Sequence, residues 1–500
     1  MIDIRRPKMD SNSNDECAKR HLYEDVASRI EQMILGGTYS PGERIPSIRH
    51  MSRQMRVSIN TVSSAYTHLE DLQLVEVRPQ SGYYVRAYGP ATLLEKAKEP
   101  DEDLIAKPVN VGEAALKLIR SLASPQLVPL SSGSPCLTLL PMNKLNAYLA
   151  AETRKHPKES IAYAPTRGHM RLRQMIAQRL LTAGCSTAPD EITITSGCVE
   201  AVTLALQAVC EPGDAVAIAS PVYYTFLNAI HWLGLKVVEI PSSPQHGINI
   251  DVLDYALRHH AIKAVVIISN FSNPSGSLMP EENKRRLVKL LADHEIPLIE
   301  DDVYGELSFA QTRPTSVKSF DRNSLVIHCS SFSKTLAPGY RVGWIVAGRF
   351  QQKIEALKSL FNIATASPTQ LAIAEYLASG GYDRHLRSLR RTYATQAAQM
   401  RDAIGKYFPH STRVSRPAGG FVLWVEMPDG VDAMTLCHKA LAHGIGISPG
   451  PLFTTGSDFA NCIRLSASTW TSQVEEAVQT VGNLACELAE NDPVIRQGAA

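Results

Sequence analysis

Apolar residues recur at helical spacing at Leu22, Val26, Ile30, Met33 and Ile34, and Gly36-Gly37 closes the run. After a turn at Pro41-Gly42, Ser47 is a plausible cap for a short helix burying Ile48, Met51 and Met55. Gln54 to Val57 reads as a tight turn, and Ser58 caps a third helix. That helix turns Val62, Ala65, Tyr66 and Leu69 inward and points Asn60, Thr61, Ser64 and His68 elsewhere. Val75–Arg78 and Tyr83–Arg86, joined through Pro79-Gln80-Ser81-Gly82, predict a two-stranded hairpin. Three helices and a hairpin make a winged helix-turn-helix over residues 21–87, preceded by a polar, frayed segment 1–20.

The pattern weakens over 88–128, where Gly89-Pro90, the charged run Lys96–Asp103 and Lys107-Pro108 read as a linker, with a short helix near Ala114–Leu122. From 129 to 488 short apolar runs alternate with helical segments. Ile192–Ile194, Ala215–Ile218, Val237–Ile240, Ala264–Ile268, Leu298–Glu300 and Leu325–Ile327 read as buried strands of a mainly parallel α/β sheet covered on both faces. After Tyr382 comes a long helix bearing Arg384, Arg387, Arg390 and Arg391, then a smaller α+β domain over about 382–488 and a tail 489–500. The fold class is multidomain, as 500 residues exceed one ordinary core.

With 44% hydrophobic and 20% charged residues and a net charge of +2, the chain is neither a disordered tail nor uniformly basic. Nine cysteines without paired spacing fit reduced thiols and no metal site. There is no signal peptide or membrane-spanning run, so a cytoplasmic protein is expected.

Charge is unevenly placed. Between Glu43 and Glu70 stand four arginines (Arg44, Arg49, Arg53, Arg56) and no carboxylate. A basic surface beside short polar side chains suits phosphate contacts and major-groove readout; it also suits a plain solvated face. Pro41-Gly42-Glu43-Arg44-Ile45-Pro46-Ser47-Ile48-Arg49, Val57-Ser58-Ile59-Asn60-Thr61-Val62 and Gly82-Tyr83-Tyr84-Val85 resemble the GntR family of bacterial regulators. The resemblance implies contact with double-stranded DNA through Arg49, Ser58, Asn60, Thr61 and the Ser81-Gly82 tip. Arg44 and Ser64 lie on the same basic, polar surface.

In the large domain five groups fall at strand ends, where such folds place ligands. Thr195-Ser196-Gly197-Cys198 opens a helix whose N–H groups suit a phosphate, though an ordinary βα turn has the same form. Tyr223, in Ser220–Tyr224, offers an aromatic face for a flat ring, although an isolated tyrosine more often serves packing. Asn273, in Asn270–Gly276, can reach a ring oxygen or simply make an Asn-Pro turn. Asp301 and Tyr304 set a carboxylate and a phenol three apart; a buried carboxylate needs a cation such as a protonated pyridine, while a surface or metal-binding acidic pair has the same form, with no histidine nearby to support a metal. Finally, Ser330–Trp344 carries Lys334 between Ser331, Ser333 and Arg341, an amine suited to imine chemistry beside groups suited to a phosphate.

Together these groups resemble the class I, fold-type I aminotransferases, whose cofactor is pyridoxal 5'-phosphate (PLP). The resemblance implies that Lys334 carries the internal aldimine and that Asp301 holds the pyridinium proton. It puts Asn273 and Tyr304 at the ring oxygen and Tyr223 on the ring. Ser196, Gly197, Cys198, Ser331, Ser333 and Arg341 would hold the phosphate. It gives Tyr163 to the neighbouring subunit's phosphate and Arg464 to a substrate α-carboxylate. Cys198 departs from the small hydroxyl residue or alanine common there.

The domain order resembles the MocR-type regulators: a GntR winged helix, a linker, and an aminotransferase-like sensor. It implies a homodimer, domain-swapped in the head-to-tail arrangement. The effector would be an amino acid, an amine or PLP itself. A working aminotransferase with an appended DNA-binding domain fits the same residues.

Overall fold

The computed structural model describes residues 22–35, 38–39, 42–71, 74–78, 81–85, 104–109 and 112–490. The expectations for 1–20, Gly36-Gly37, Pro79-Gln80, the stretch 86–103 and the tail beyond 490 lie outside them. The chain divides into two compact units, Met1–Gly89 and Pro90–Ala500.

In the first unit, helices α1 (Leu22–Leu35), α2 (Ile48–Met55) and α3 (Ile59–Asp71) precede the hairpin β1 (Val75–Arg78) and β2 (Gly82–Val85). The Ser47 hydroxyl caps α2 by accepting from the His50 N–H at 3.3 Å. Helix α2 runs to Met55, and the turn to α3 comes at Arg56, whose left-handed φ of 54° stops the helix. Ser58 caps α3, its Oγ accepting from the Thr61 N–H at 3.0 Å. The inner face of α3 is as its spacing predicts: Val62, Ala65, Tyr66 and Leu69 are fully buried. The Tyr66 hydroxyl donates to the Pro46 carbonyl at 2.6 Å, pinning the turn before α2 to α3. Val75 pairs with Val85 across the hairpin, and both close the core.

The second unit contains strands β3 (Lys107–Pro108), β4 (Ile192–Thr195), β5 (Ala215–Ser220), β6 (Lys236–Ser243), β7 (Gly247–Ile248), β8 (Ile262–Ile267), β9 (Leu298–Asp301), β10 (Val326–Ser331) and β11 (Gly343–Val346). They lie in the order β3-β6-β5-β8-β9-β10-β11-β4, with β7 on β6. The run β6-β5-β8-β9-β10 is parallel, as the apolar runs predict. Strand β11 instead returns antiparallel to β10 and β4. The connection from Ser331 to Gly343 is too short for a helical crossover, so the chain must double back.

Part of the stretch read as linker belongs to the body of this unit. Lys107-Pro108 pairs with Val237 and Lys236 of β6, and Val109 is buried in the large core. Helix α4 (Glu113–Leu122) buries Leu118 in the smaller core. Its alternation is masked by Lys117, Arg120 and the prolines around it.

The smaller domain is an antiparallel sheet of β12 (Arg413–Val414), β13 (Val422–Glu426), β14 (Ser448–Pro449) and β15 (Cys462–Ser466), in the order β12-β13-β15-β14. The arginine-rich helix, Gly381–Tyr407, joins the two cores. Its first half buries Tyr382, Leu386 and Leu389 in one and its second half Met400 and Ile404 in the other.

Gly343, opposite Ser331 at the mouth of the β10–β11 turn, has no room for a side chain. A Cβ there would lie 2.6 Å from the Gly197 carbonyl carbon and 2.7 Å from the Ser330 oxygen, both backbone atoms. Gly343→Ala is expected to destabilise the large unit by about 1–3 kcal/mol, read as a lowered thermal midpoint of the full chain.

Candidate functional site

All five sequence groups sit at the carboxyl ends of β4, β5, β8, β9 and β10, which the parallel run, with β4 restored to its direction through antiparallel β11, brings to one edge. Asp301 is the last residue of β9, buried, with Oδ1 accepting from the Val303 N–H at 3.0 Å. Burial pushes its carboxyl up to about 6, against the Val303 N–H, the Cys198 thiol and the Lys334 charge, which favour ionisation. Burial beside Asp301 in turn holds the Cys198 thiol protonated, well above the usual range.

Lys334 lies in the return loop between β10 and β11. Its Nζ donates to the Gly133 carbonyl at 2.7 Å and lies 5.8 Å from the Tyr304 ring centroid. Burial pulls the amine down to about 8; Asp301 opposes this and Arg464 adds to it. Arg464, in the middle of β15, is fully buried. Its Nη1 donates to Asn273 Oδ1 at 3.0 Å, and its Nη2 to the Ser448 hydroxyl at 3.1 Å and to the Ser131 carbonyl. The Phe453 ring centroid lies 5.3 Å from its Cζ. Both cationic heads converge on Gly133: a Cβ there would be 3.9 Å from Lys334 Nζ and 4.0 Å from Arg464 Nη1.

Arg341 closes another side. Its left-handed backbone (φ 51°) follows the Pro338–Tyr340 turn. Its Nη1 donates to Ser333 Oγ at 3.2 Å and its Nη2 to the Ser196 carbonyl at 3.0 Å. Gly197, at φ 90° ahead of the helix Cys198–Val209, makes room for this, since a Cβ there would overlap the guanidinium. The Ser196 N–H donates to Glu200, and its hydroxyl accepts weakly from Asn362 at 3.5 Å. The Ser331 hydroxyl accepts from the Ser333 N–H at 3.3 Å. Tyr223 packs against Tyr224 with ring centroids 4.9 Å apart, and burial pushes its phenol up to about 12. Burial raises Tyr304 too, and its hydroxyl has no hydrogen-bond partner among the described residues. Tyr163 stands apart, 83% exposed.

In the winged-helix unit Arg44, Arg49, Ser58, Asn60 and Ser64 are exposed, and Thr61 partly so, while their neighbours form the core. Arg44 packs against the wing, its Nε 3.2 Å from where a Gly82 Cβ would stand. The Ser81 and Tyr84 hydroxyls are hydrogen-bonded at 2.6 Å, shaping the described part of that wing.

The family model of bacterial regulatory proteins, gntR family, matches residues 22–85, and that of aminotransferase class I and II matches residues 125–481. The HTH-type transcriptional regulator YdcR of Escherichia coli strain K12 is 36% identical, over 92% of this chain and 98% of its own. The chain belongs to the MocR-type regulators. YjiR of the same organism, also an HTH-type transcriptional regulator, is 35% identical over 93% of this chain and 97% of its own. Among solved structures, LysN, the alpha-aminoadipate aminotransferase of Thermus thermophilus complexed with N-(5'-phosphopyridoxyl)-L-leucine, superposes with a TM-score of 0.70. It is 28% identical and covers 77% of this chain and 96% of its own. This MocR-type chain is thus a GntR-type transcriptional regulator whose large domain has the fold of PLP-dependent homologues. No helix among the described residues is long and apolar enough to cross a membrane.

Two parts of the site escape the sequence reading. The Gly133 and Ser131 carbonyls receive the lysine and arginine heads, and only the turn-like cluster Ser131-Ser132-Gly133-Ser134-Pro135 marks the place. Phe453 lies in a further loop whose sequence, Gly450-Pro451-Leu452-Phe453, reads as plain turn and packing.

A lysine whose folded pKa is lowered costs stability while it is charged. The cost is full below about 8 and fades as pH rises from there towards 10.5, the unfolded value. In cofactor-free protein Lys334→Met is therefore expected to raise stability by about 1–2 kcal/mol at neutral pH, less than full burial would give because the side chain keeps some solvent contact. The gain should vanish as pH climbs through that window, measured by thermal unfolding across pH.

Proposed function

We propose that this regulator holds PLP at Lys334, detects an amino acid or amine there, and changes its affinity for a double-stranded DNA operator in response. One observation carries the reading: a buried amine of lowered proton affinity and a buried guanidinium converge on Gly133. Among the described residues the guanidinium has only an amide, a carbonyl and a hydroxyl as acceptors, and no carboxylate.

The residues fit the cofactor. Arg341, Ser333, Ser331 and the helix start at Ser196-Gly197-Cys198 line a cradle for a phosphate, with Gly197 making room for the Arg341 guanidinium. The partnerless Tyr304 hydroxyl and Asn273 are available to a ring oxygen, with Tyr223 as the stacking face. PLP supplies an aldehyde that condenses with amines and a ring that withdraws electrons. Lys334, near 8, reaches its neutral form close to physiological pH. Asp301 gives up its proton readily once a pyridinium stands beside it, and Cys198 helps hold the resulting charge. Arg464 receives an α-carboxylate in fork geometry. Tyr163, exposed on this chain, would reach the phosphate of a second copy in the homodimer. At the other end of the chain Arg44, Arg49, Ser58, Asn60, Thr61, Ser64 and the Ser81-Gly82 tip would meet DNA.

For the effector to act, its condensed form must favour one dimer conformation over another. Lys334→Ala is expected to abolish the visible absorbance of the holoprotein and the response of DNA affinity to amino compounds. An unchanged response would overturn the reading. The probe is a duplex selected by the wild type from a random pool. On that duplex Arg49→Ala should weaken binding and lower the salt slope by about one counterion, read by titration at several salt concentrations.

The joint presence of Lys334, Asp301 and Arg464 favours a second reading, a working aminotransferase. Sustained turnover of an amino acid with 2-oxoglutarate supports it, whereas a single half-reaction supports a sensor. If PLP itself is the signal, cofactor-free and loaded protein will differ in DNA affinity before any amine is added.

A further inference from the structure

Glu239, on β6, lies outside the cradle and outside every group that the sequence singles out. Its carboxylate gathers four hydrogen bonds from two other segments. Oε1 accepts from the Thr455 N–H at 2.5 Å and the Thr455 hydroxyl at 2.6 Å. Oε2 accepts from the Thr454 hydroxyl at 2.8 Å and from the hydroxyl of Ser220, the last residue of β5. Among the described residues these donors are neutral.

The loop so held runs between β14 and β15 and carries Phe453, whose ring faces the Arg464 guanidinium. The Phe453 carbonyl accepts from the Val222 N–H at 2.9 Å, one residue before Tyr223. Its ring meets Tyr224 edge-on at 5.7 Å and Trp424 at 5.5 Å. One carboxylate thus fastens a small-domain loop to two strands of the large sheet, at the wall where the guanidinium is seated. Hydrogen bonds to a charged acceptor are about twice as strong as neutral ones, so four of them hold the loop firmly. A wall fixed in advance lowers the ordering cost of binding.

We propose that Glu239 is a positioning residue for the Arg464 clamp. By holding Thr454 and Thr455 on β5 and β6 it fixes Phe453 against the guanidinium, and so sets the affinity for ligands that carry an α-carboxylate. This rests on the reading of Arg464 as the receiver of that carboxylate.

The test uses the PLP-loaded full chain, titrated by absorbance with L-amino acids, each paired with the amine that lacks its carboxylate (L-phenylalanine with phenethylamine, L-leucine with isoamylamine). In the tightest pair, Glu239→Ala should weaken the acid about tenfold and leave the amine within about twofold. Glu239→Gln, which keeps one acceptor oxygen, should cost the acid about threefold. A general loss of structure would weaken acid and amine alike, and that result overturns the proposal. So does wild-type affinity for the acid in both variants. If Glu239→Ala does not fold, Glu239→Gln decides by the same comparison. A wild type that binds no acid better than its amine removes the Arg464 reading itself, whatever Glu239 does.

Discussion

A guanidinium with no exposed surface is the constraint around which the large unit is arranged. Taking Arg464 out of water is costly, and the cost is tolerable only where acceptors meet it from several directions. They come from distant stretches of chain: the Ser131 carbonyl shortly after α4, the Asn273 amide beyond β8 and the Ser448 hydroxyl in β14. Arg464 itself is on β15, so the small sheet can keep this charge buried only by docking against the strand ends of the large one. The helix Gly381–Tyr407, with one half in each core, holds the two together. The cation is hydrogen-bonded but not neutralised by any carboxylate among the described residues.

The neighbouring pair shows the same low-dielectric surroundings acting on charges of opposite sign. Burial drives the Lys334 amine down to about 8 and the Asp301 carboxyl up to about 6, because in each case it opposes the charged form. Each charge partly restores the other, so at neutral pH the pair remains ionised but only weakly so. A lysine in that state exchanges its proton easily, and a carboxylate in that state gains most from a new cation. Cys198 fits this balance: burial beside Asp301 keeps its thiol protonated, well above the usual range.

The features legible in the sequence are those in which one residue type at one spacing carries the chemistry. Lys334 between serines, Asp301 and Tyr304 at a strand end, and the inward face of α3 all fall where the patterns put them. Contacts made by backbone atoms are not legible, since a carbonyl such as that of Gly133 has no letter of its own. The reversal of β11 is hidden because a buried strand reads the same in either direction; only the shortness of the 332–342 connection distinguishes them. The docking of Lys107-Pro108 and α4 is obscured by charged and proline-broken surroundings, in which the few apolar contacts of Val109 and Leu118 decide the outcome. Glu239 is invisible for a further reason. Its donors, Ser220, Thr454 and Thr455, come from two segments more than two hundred residues apart in the chain, which no local pattern links.

Strand β6 therefore serves two parts of the molecule. On one edge it pairs with β5, and at its fourth residue Glu239 grips the loop behind the Arg464 site. On the other edge Val237 and Lys236 pair with Lys107-Pro108, the first described strand after the winged helix in chain order. The loop behind Arg464 and the paired segment Lys107-Pro108 thus share one strand. Strands within a hydrogen-bonded sheet do not slide independently, because register is set by every pair at once. A sensor needs its ligand to distinguish two arrangements of the protein. If Arg464 receives a ligand carboxylate as proposed, that carboxylate would compete for the hydrogen bonds now made to Asn273, Ser131 and Ser448, which come from segments of both sheets. The Glu239 hydrogen bonds to Thr454 and Thr455 tie the loop behind Arg464 to β6 itself. Under the proposed function, such a tie suits a regulator whose effector is both bound and reported through one charge contact.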